Sequence, residues 1–479
     1  MLLALLAAAT LAADLQQLAK LPGEPSIVSA AGIAADDSPV LTLENASAFD
    51  TASTARRVVI VATPGSDDRA TDAVLQLVRW MKTDAPKDIR AHWRISALPA
   101  GQPIDNQSFD RWIRFQAPDF VVSVGEGRGV PGVHRWTPQE FEAALRRVPG
   151  IRGQDYQIIA DRVSRDPLAI ATLLASKYPG TPAISYIPSV AWANTLKVAE
   201  LTRDASLRAK VEGQTAQWRG GQDLFGTRIQ LTSVAGTFVF SELGAADVVA
   251  KGVDAASKVK DGDVYEYGQG WTDDMFMATV VLARNGRTDL AARMLVAYAA
   301  RLQRPDGIFN HATNGPAAWG RGNGFAALGL VEALSAMPGT DPNRARVLEI
   351  YRRQMDAVRK LQAPDGMWNE VLDEPGSYRE ESATAMLMTA MSRGIRAGWL
   401  DPSFAAFVER AWRGVAAHVD MDGNIVDVCT STGSGPTKRY YLDRAAVTGA
   451  DDRGGAMALM AAVEVHTLRQ TARPRRAGR

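Results

Sequence analysis

The nine residues Q-R-P-D-G-I-F-N-H, 303–311, recur as Q-A-P-D-G-M-W-N-E at 362–370 and as V-D-M-D-G-N-I-V-D at 419–427. Their Asp-Gly pairs start at Asp306, Asp365 and Asp422, 59 and then 57 residues apart, with a looser copy at Asp261. A period of that length holds two helices and two connections, so each repeat reads as a helical hairpin that cannot bury its own apolar face. Stacked hairpins must either run on as a solenoid or close into a ring.

Around the repeats, apolar residues at three-and-four spacing predict helices near 195–213, 228–243, 245–258, 272–285, 289–303, 321–336, 342–362, 380–397, 402–418 and 453–470. Short links (286–288, 337–341, 398–401) alternate with long ones (304–320, 363–379, 419–452) that carry the Asp-Gly pairs, Trp, Tyr and His. This asymmetry favours closure. It puts every long link at the end of the stack where helices beginning near 272, 321, 380 and 453 start. Free N–H groups and partial positive charge suit that end to an anionic ligand, which makes it the working face.

Before residue 190 the pattern differs. R-R-V-V-I-V-A-T-P-G-S-D-D and P-D-F-V-V-S-V-G-E-G read as strands, with helical periodicity in T-D-A-V-L-Q-L-V-R-W-M-K between them. Alternation of this kind predicts an α/β unit with a parallel sheet. The order of these segments resembles the zinc carboxypeptidase and deacylase fold, whose ligand positions match Pro64, Asp67 and Gly125 here. The resemblance implies a domain that has lost its metal; the plainer reading is a generic accessory domain.

Composition narrows the function classes. The balance of 54 basic to 53 acidic side chains offers no general attraction for nucleic acid or anionic lipid. The single Cys429 excludes internal disulfides and multi-thiolate metal sites, and five scattered histidines leave no dedicated zinc motif, so no metal or cofactor is expected. The opening M-L-L-A-L-L-A-A-A-T-L-A-A-D has the length of a signal-peptide core, which points to a leader over residues 1–22 and a periplasmic or secreted protein; an ordinary buried N-terminal helix is the alternative. No later segment is long and apolar enough to span a bilayer.

Three constellations meet on the working face. In W-T-D-D-M-F-M, 271–277, two acids follow Thr272 in a first helical turn, where capping alone would account for them. Asp273 shares a stripe with Met277 and Val280 at i, i+4 and i+7, whereas Asp274 is rotated by about 100°. A carboxyl group at the mouth of an apolar barrel is poorly hydrated, a setting that suits proton donation, so Asp273 is the candidate catalytic residue. In H-A-T-N-G-P-A-A-W-G-R-G-N-G-F, 311–325, Trp319 and Arg321 flank Gly320, an aromatic plane beside a bidentate cation, which is the chemistry for stacking a sugar and holding its carboxylate. The third constellation is Glu380, Glu381 and Ser382, for which helix capping is the simpler account. Tyr440 and Tyr441, in Y-Y-L-D-R, could close the ring's opening.

Taken in order, W-T-D-D-M-F-M, W-G-R-G-N-G-F, G-M-W-N-E-V-L-D-E-P-G-S-Y-R-E-E-S-A-T-A-M and Y-Y-L-D-R resemble glycoside hydrolase family 105, the unsaturated rhamnogalacturonyl hydrolases, and the related family 88. The resemblance covers about residues 195–470. It implies an (α/α)6 barrel, and so a multidomain chain: an N-terminal α/β domain (55–190) followed by an all-α (α/α)6-type toroid of helical hairpins (193–472). It implies an enzyme that removes a terminal 4,5-unsaturated uronic acid from oligosaccharides made by polysaccharide lyases, by hydrating the C4=C5 vinyl ether with one Asp as acid and base. Asp273 matches the catalytic position, and Trp271, His311, Trp319, Arg321, Phe325 and Tyr441 match substrate-binding positions. Phe325 stands where the family has Trp, and the 311–319 loop is short. A second inner-helix acid has no counterpart in 228–242, Asp223 being the nearest stand-in. About five hairpins are visible, so a sixth must come from the α/β half or be missing. The alternatives are an epimerase or isomerase on the same barrel, which would need more histidines at the opening, and a non-catalytic carbohydrate-binding protein.

Overall fold

The computed structural model describes residues 2–46, 49–63, 68–99, 104–125, 136–260 and 263–472. They form two compact units: residues 1–164 with the short segments 363–365 and 374–378, and the remainder from residue 165 onward.

The first unit is built on a five-stranded sheet, β1 (Ser26–Ile33), β2 (Pro39–Asn45), β3 (Arg56–Ala62), β4 (Trp93–Leu98) and β5 (Phe120–Val124), in the order β1-β2-β4-β3-β5. The expected parallel core is present in β4, β3 and β5. The sheet is nevertheless mixed, because β1 and β2 form an antiparallel hairpin and β2 joins β4 antiparallel. Alternation along β3 feeds two cores. Val58 and Ile60 pack with Val74, Leu77 and Val78 of helix Asp68–Thr83, while Val59 and Val61 pack with Trp112 of helix Asn106–Gln116. Residues 1–22, read as a leader, contain helix Leu2–Ala19, whose Leu15 and Leu18 are buried in the first of these cores. Of the three positions compared with zinc ligands, Gly125 ends β5 with φ +108°, and Pro64 and Asp67 lie outside the described residues, as does Asp261.

The second unit is helical. Its helices are α1 (Pro167–Lys177), α2 (Tyr186–Thr202), α3 (Ala205–Arg219), α4 (Leu231–Ala235, followed by the 3-10 turn Phe238–Ser241), α5 (Ala246–Ala256) and α6 (Asp274–Met277 and Thr279–Arg284). They continue with α7 (Thr288–Leu302), α8 (Gly320–Ala336), α9 (Arg344–Val358), α10 (Glu381–Arg396), α11 (Ala405–His418) and α12 (Asp452–Ala472). Two expectations are corrected. The helix expected over 195–213 is two, because Arg203 turns left-handed (φ +59°) and Asp204 starts α3 by accepting from the Ser206 N–H. The α/β assignment extended too far, since residues 165–190 supply α1 and the start of α2. That pair is the missing sixth hairpin.

Among the described residues, the even-numbered helices form the inner ring and the odd-numbered ones the outer. Each inner helix packs on the next, and α12 packs back on α2, so the ring closes. Helix α1 lies against both α12 and α2.

The sequence repeat is the fastener between outer helices. Gly307, Gly366 and Gly423 all take positive φ (+102°, +86° and +75°), which glycine adopts without steric cost. Gln303 Nε2 donates to the carbonyl oxygens of Gly307 and of Ile350 in α9; Gln362 Nε2 does the same for Gly366 and Phe407 in α11. In the third copy the Tyr178 hydroxyl, just past α1, donates to Gly423 O at 2.9 Å and Lys177 Nζ to Asp422 O at 2.9 Å. The last Asp-Gly turn thus clips the end of the unit to its beginning.

The opposite end of the inner ring carries a belt of charge with a member from each inner segment. Lys197 (α2) faces Glu464 (α12) at 3.9 Å, Glu464 pairs with Arg393 (α10) at 2.8 Å, and Arg393 pairs with Glu332 (α8) at 2.7 Å. Glu332 pairs in turn with Arg284 (α6) at 3.0 Å, and Arg284 with Glu242, after α4, at 2.8 Å. Burial alone would raise the Glu332 carboxyl, but the adjacent Arg284 and Arg393 charges overcome it and hold it well below the ordinary carboxylate range. The buried charges of Glu332, Arg393 and Glu464 are tolerated because each is paired and hydrogen-bonded.

Candidate active site

At the other end, the link before α6 is tied down by Asp274. Its Oδ2 accepts from the N–H groups of Gln269 (3.0 Å), Gly270 (2.7 Å) and Trp271 (3.2 Å) and from the Tyr298 hydroxyl (2.8 Å). Burial pushes this carboxyl up to about 6. The spacing-based expectation is therefore corrected on one point: Asp274 is the more deeply buried acid, serving as the knot of the loop, and Asp273 is the one left partly open, with 17% of its side chain exposed. Thr272 does not cap α6. Asp273 occupies the N-cap position in helical conformation, without a side-chain cap bond.

Asp273 is held by His311. The imidazole Nε2 lies 3.1 Å from Asp273 Oδ2, and Nδ1 lies 3.0 Å from the Tyr441 hydroxyl. The ring is buried among Trp271, Trp319 and Tyr441, at centroid distances of 5.1, 4.7 and 5.6 Å. Thr272 N–H donates to His311 O at 3.0 Å, which locks the two loops together. With Asp273 ionised, an Nε2–H tautomer satisfies both bonds, the Tyr441 hydroxyl donating to Nδ1. With Asp273 protonated, the roles on both nitrogens reverse. Asp273 Oδ1 makes no hydrogen bond to a described residue, and Asp273 borders the adjoining space.

That space is a cavity of about 320 Å³ lined by Arg228, Ile229, Gln230, Leu231, Thr232, Tyr267, Gln269, Trp271, Asp273, Asp274 and Met277. Of the expected site residues only Asp273 and Trp271 line it. The others, Trp319 and Arg321 among them, do not line it and sit behind Asp273. Arg321 is 1% exposed, and each of its nitrogens makes one hydrogen bond: Nε to Ser382 Oγ (2.8 Å), one terminal nitrogen to Ser431 Oγ (3.1 Å), the other to Cys429 O (2.6 Å), with Glu380 Oε1 at 3.6 Å. Trp319 is equally buried, its indole N–H donating to Glu370 Oε1 at 2.9 Å. Phe325 belongs to the core, stacked on Phe276 and edge-on to Tyr186. Tyr441 is buried against His311 and offers no open face to a sugar.

Behind this layer sit three carboxyl groups. Glu380 caps α10 as expected, accepting from the N–H groups of Ser382 and Ala383, and also accepts from Cys429 N–H at 2.9 Å. Glu370 accepts from Trp319 and from the Cys429 thiol (3.0 Å), and burial, with Glu380 nearby, pushes its carboxyl up to about 8. Glu381 is buried with neither carboxyl oxygen hydrogen-bonded; burial and Glu380 hold it well above the usual range. None of the three lines the cavity. Asp223 accepts from Phe225 N–H in a turn and does not line it either. Arg228, Gln230, Thr232, Tyr267 and Gln269 were not singled out from the sequence: the helix expected over 228–243 is regular only at Leu231–Ala235, so Arg228 and Gln230 lie in the loop before it, and periodicity does not report which polar residues border a cavity. Of the other toroid histidines, His418 is buried in α11, bonded to Gly414 O, and His466 lies within α12; neither lines the cavity.

Residues 254–469 match Glycosyl Hydrolase Family 88. The Family 88 segment contains Asp273, His311, Trp319, Arg321 and Tyr441, and begins after the cavity residues 228–232. The chain is 29% identical over 179 residues to the unsaturated rhamnogalacturonyl hydrolase YesR of Bacillus subtilis (strain 168), covering 34% of this chain and 50% of that protein. It is 29% identical over 113 residues to an unsaturated 3S-rhamnoglycuronyl hydrolase of Alteromonas sp. (strain LOR), covering 23% of this chain and 27% of that one. The chain thus spans half or less of the length of these curated relatives. A glycoside hydrolase from family 105 of C. acetobutylicum ATCC 824 superimposes with a TM-score of 0.56 at 19% identity, covering 62% of this chain and 99% of that one. That likeness shows the helical toroid shared by Family 88 and family 105 proteins.

Proposed function

We propose that this protein hydrolyses a terminal 4,5-unsaturated uronic acid from an oligosaccharide. The single observation that carries the reading is Asp273, a partly open acid at the start of an inner helix within the segment that matches Family 88, lining a cavity and held from behind by His311. The chemistry suits one carboxyl group rather than the usual pair. Asp273 gives its proton to C4 of the vinyl ether, and the resulting carboxylate takes a proton from the water whose oxygen adds at C5, which restores the acid. The C5 hemiketal opens to a ketone, the ring oxygen becomes a hydroxyl on C1, and the C1 hemiacetal expels the aglycone as an alcohol. The His311 tautomer can follow each change of charge on Asp273. The relatives' printed activities, both on unsaturated uronyl compounds, support the same substrate class.

The test is absorbance. Purified protein mixed with an unsaturated uronyl disaccharide should bleach the ultraviolet band of the conjugated double bond, and Asp273→Asn should slow the loss by about a thousandfold, within the range for removal of a general acid–base group. Bleaching that survives in Asp273→Asn sinks the mechanism.

A further inference from the structure

Arg228 is the one cation among the residues that line the cavity, and it makes no hydrogen bond or ion pair with another described residue. Its side chain is exposed, on the chain segment that leads into α4. Two carboxyl groups, Asp273 and Asp274, line the same space, and neither offers an anionic ligand a counter-charge. Arg321, the cation that sequence considerations favoured for a carboxylate, is buried and does not line this cavity, and each of its three nitrogens already donates to Ser382, Ser431 or Cys429. We infer that Arg228 is the residue that pairs with the substrate's carboxylate and makes the site selective for a free uronate over a neutral sugar. The inference rests on the hydrolase reading above.

The physical basis is the planar guanidinium, which presents two parallel N–H donors to a carboxylate and gains both charge and geometry from the pair. Gln230 and Gln269, both exposed on the same lining, are polar neighbours able to meet the sugar hydroxyls. Because Arg228 is exposed and unpaired, its removal leaves no buried partner stranded, so its loss should be read in binding and not in folding.

The experiment compares wild type, Arg228→Ala and Arg228→Lys on an unsaturated uronyl disaccharide and on its carboxyl methyl ester, following the double-bond absorbance over a range of concentrations. Arg228→Ala is expected to raise KM for the acid about tenfold or more with kcat changed less than about threefold, the signature of a lost ground-state contact. Arg228→Lys is expected to fall between, since lysine keeps the charge without the fork. The wild-type preference for acid over ester should shrink by the same factor in Arg228→Ala. An unchanged KM for the acid, or equal losses on acid and ester, overturns the assignment. A wild type that leaves both substrates untouched overturns the hydrolase reading itself, an outcome no Arg228 variant can mimic.

Discussion

His311 Nε2 lies 3.1 Å from Asp273 Oδ2, and the Tyr441 hydroxyl, 130 residues further along the chain, holds the opposite ring nitrogen at 3.0 Å. The partly open acid is therefore steered by a histidine whose own orientation is set by a phenol.

Tyr441→Phe tests that steering. Removing the hydroxyl leaves His311 Nδ1 buried without its partner, and the tautomer that supports ionised Asp273 loses its bias. We expect kcat to fall about tenfold with KM altered less than about twofold and a displaced pH–rate profile, together with a stability loss of about 1 kcal/mol. A variant that only melts earlier, with kcat and pH profile intact, shows Tyr441 to be mere packing.

Arg321→Ala should act on folding first. The truncation strands Glu380 in the interior and frees Ser382, Ser431 and the Cys429 carbonyl together. Breaking a buried pair from one side costs about 3–5 kcal/mol, measurable by urea denaturation. A stable Arg321→Ala protein with a raised KM would return Arg321 to the substrate.

The Asp-Gly fasteners can be probed at Gly366. An added Cβ there would collide with the Arg410 carbonyl oxygen, and its φ of +86° disfavours any side chain. Gly366→Ala should destabilise the protein by at least about 1–2 kcal/mol. Gly339→Ala, where a Cβ meets nothing within 4 Å and φ is not positive, is the matched control and should change stability little.

Glu370 makes a prediction about pH. Its carboxyl, ordinarily near 4.5, is pushed up to about 8 by burial first and by Glu380 second. The folded protein therefore binds this proton more tightly than the unfolded chain does, and the stability Glu370 contributes is present below about pH 4.5 and declines as pH rises towards about 8. One such group gives a slope of at most about 1.4 kcal/mol per pH unit in that window. Glu370→Gln keeps an oxygen for Trp319 and Cys429 and should flatten the curve. Identical pH dependence of denaturation midpoints in both proteins would show that Glu370 is ionised across the range.

What could be read from the sequence was what repeats locally. The Asp-Gly period and the three-and-four spacing marked the five hairpins from α3 onward. They could not mark α1 and α2, because that hairpin lacks the Asp-Gly signature and instead receives the clip made by Gly423. The β1–β2 hairpin escaped notice for a similar reason: S-I-V-S-A-A-G-I is rich in small residues and offers little apolar alternation. At the site, Asp273 announced itself through a motif, whereas the burial of Arg321 depends on Ser382, Cys429 and Ser431, which lie 61, 108 and 110 residues away. Chemistry was legible in the residue types; which of them face open space was decided by such distant contacts.

The charge belt from Lys197 round to Glu242 also has a consequence for traffic. With paired, mostly buried side chains at one end of the inner ring and packed Phe276 and Phe325 above them, the barrel is a cup and not a pipe. A polymer cannot thread through it. Under the proposed function each visit engages a single chain terminus, and the freed sugar departs by the route its successor uses to arrive. Released uronate should thus act as a competitive inhibitor, and long and short oligosaccharides alike should lose only the terminal unsaturated residue.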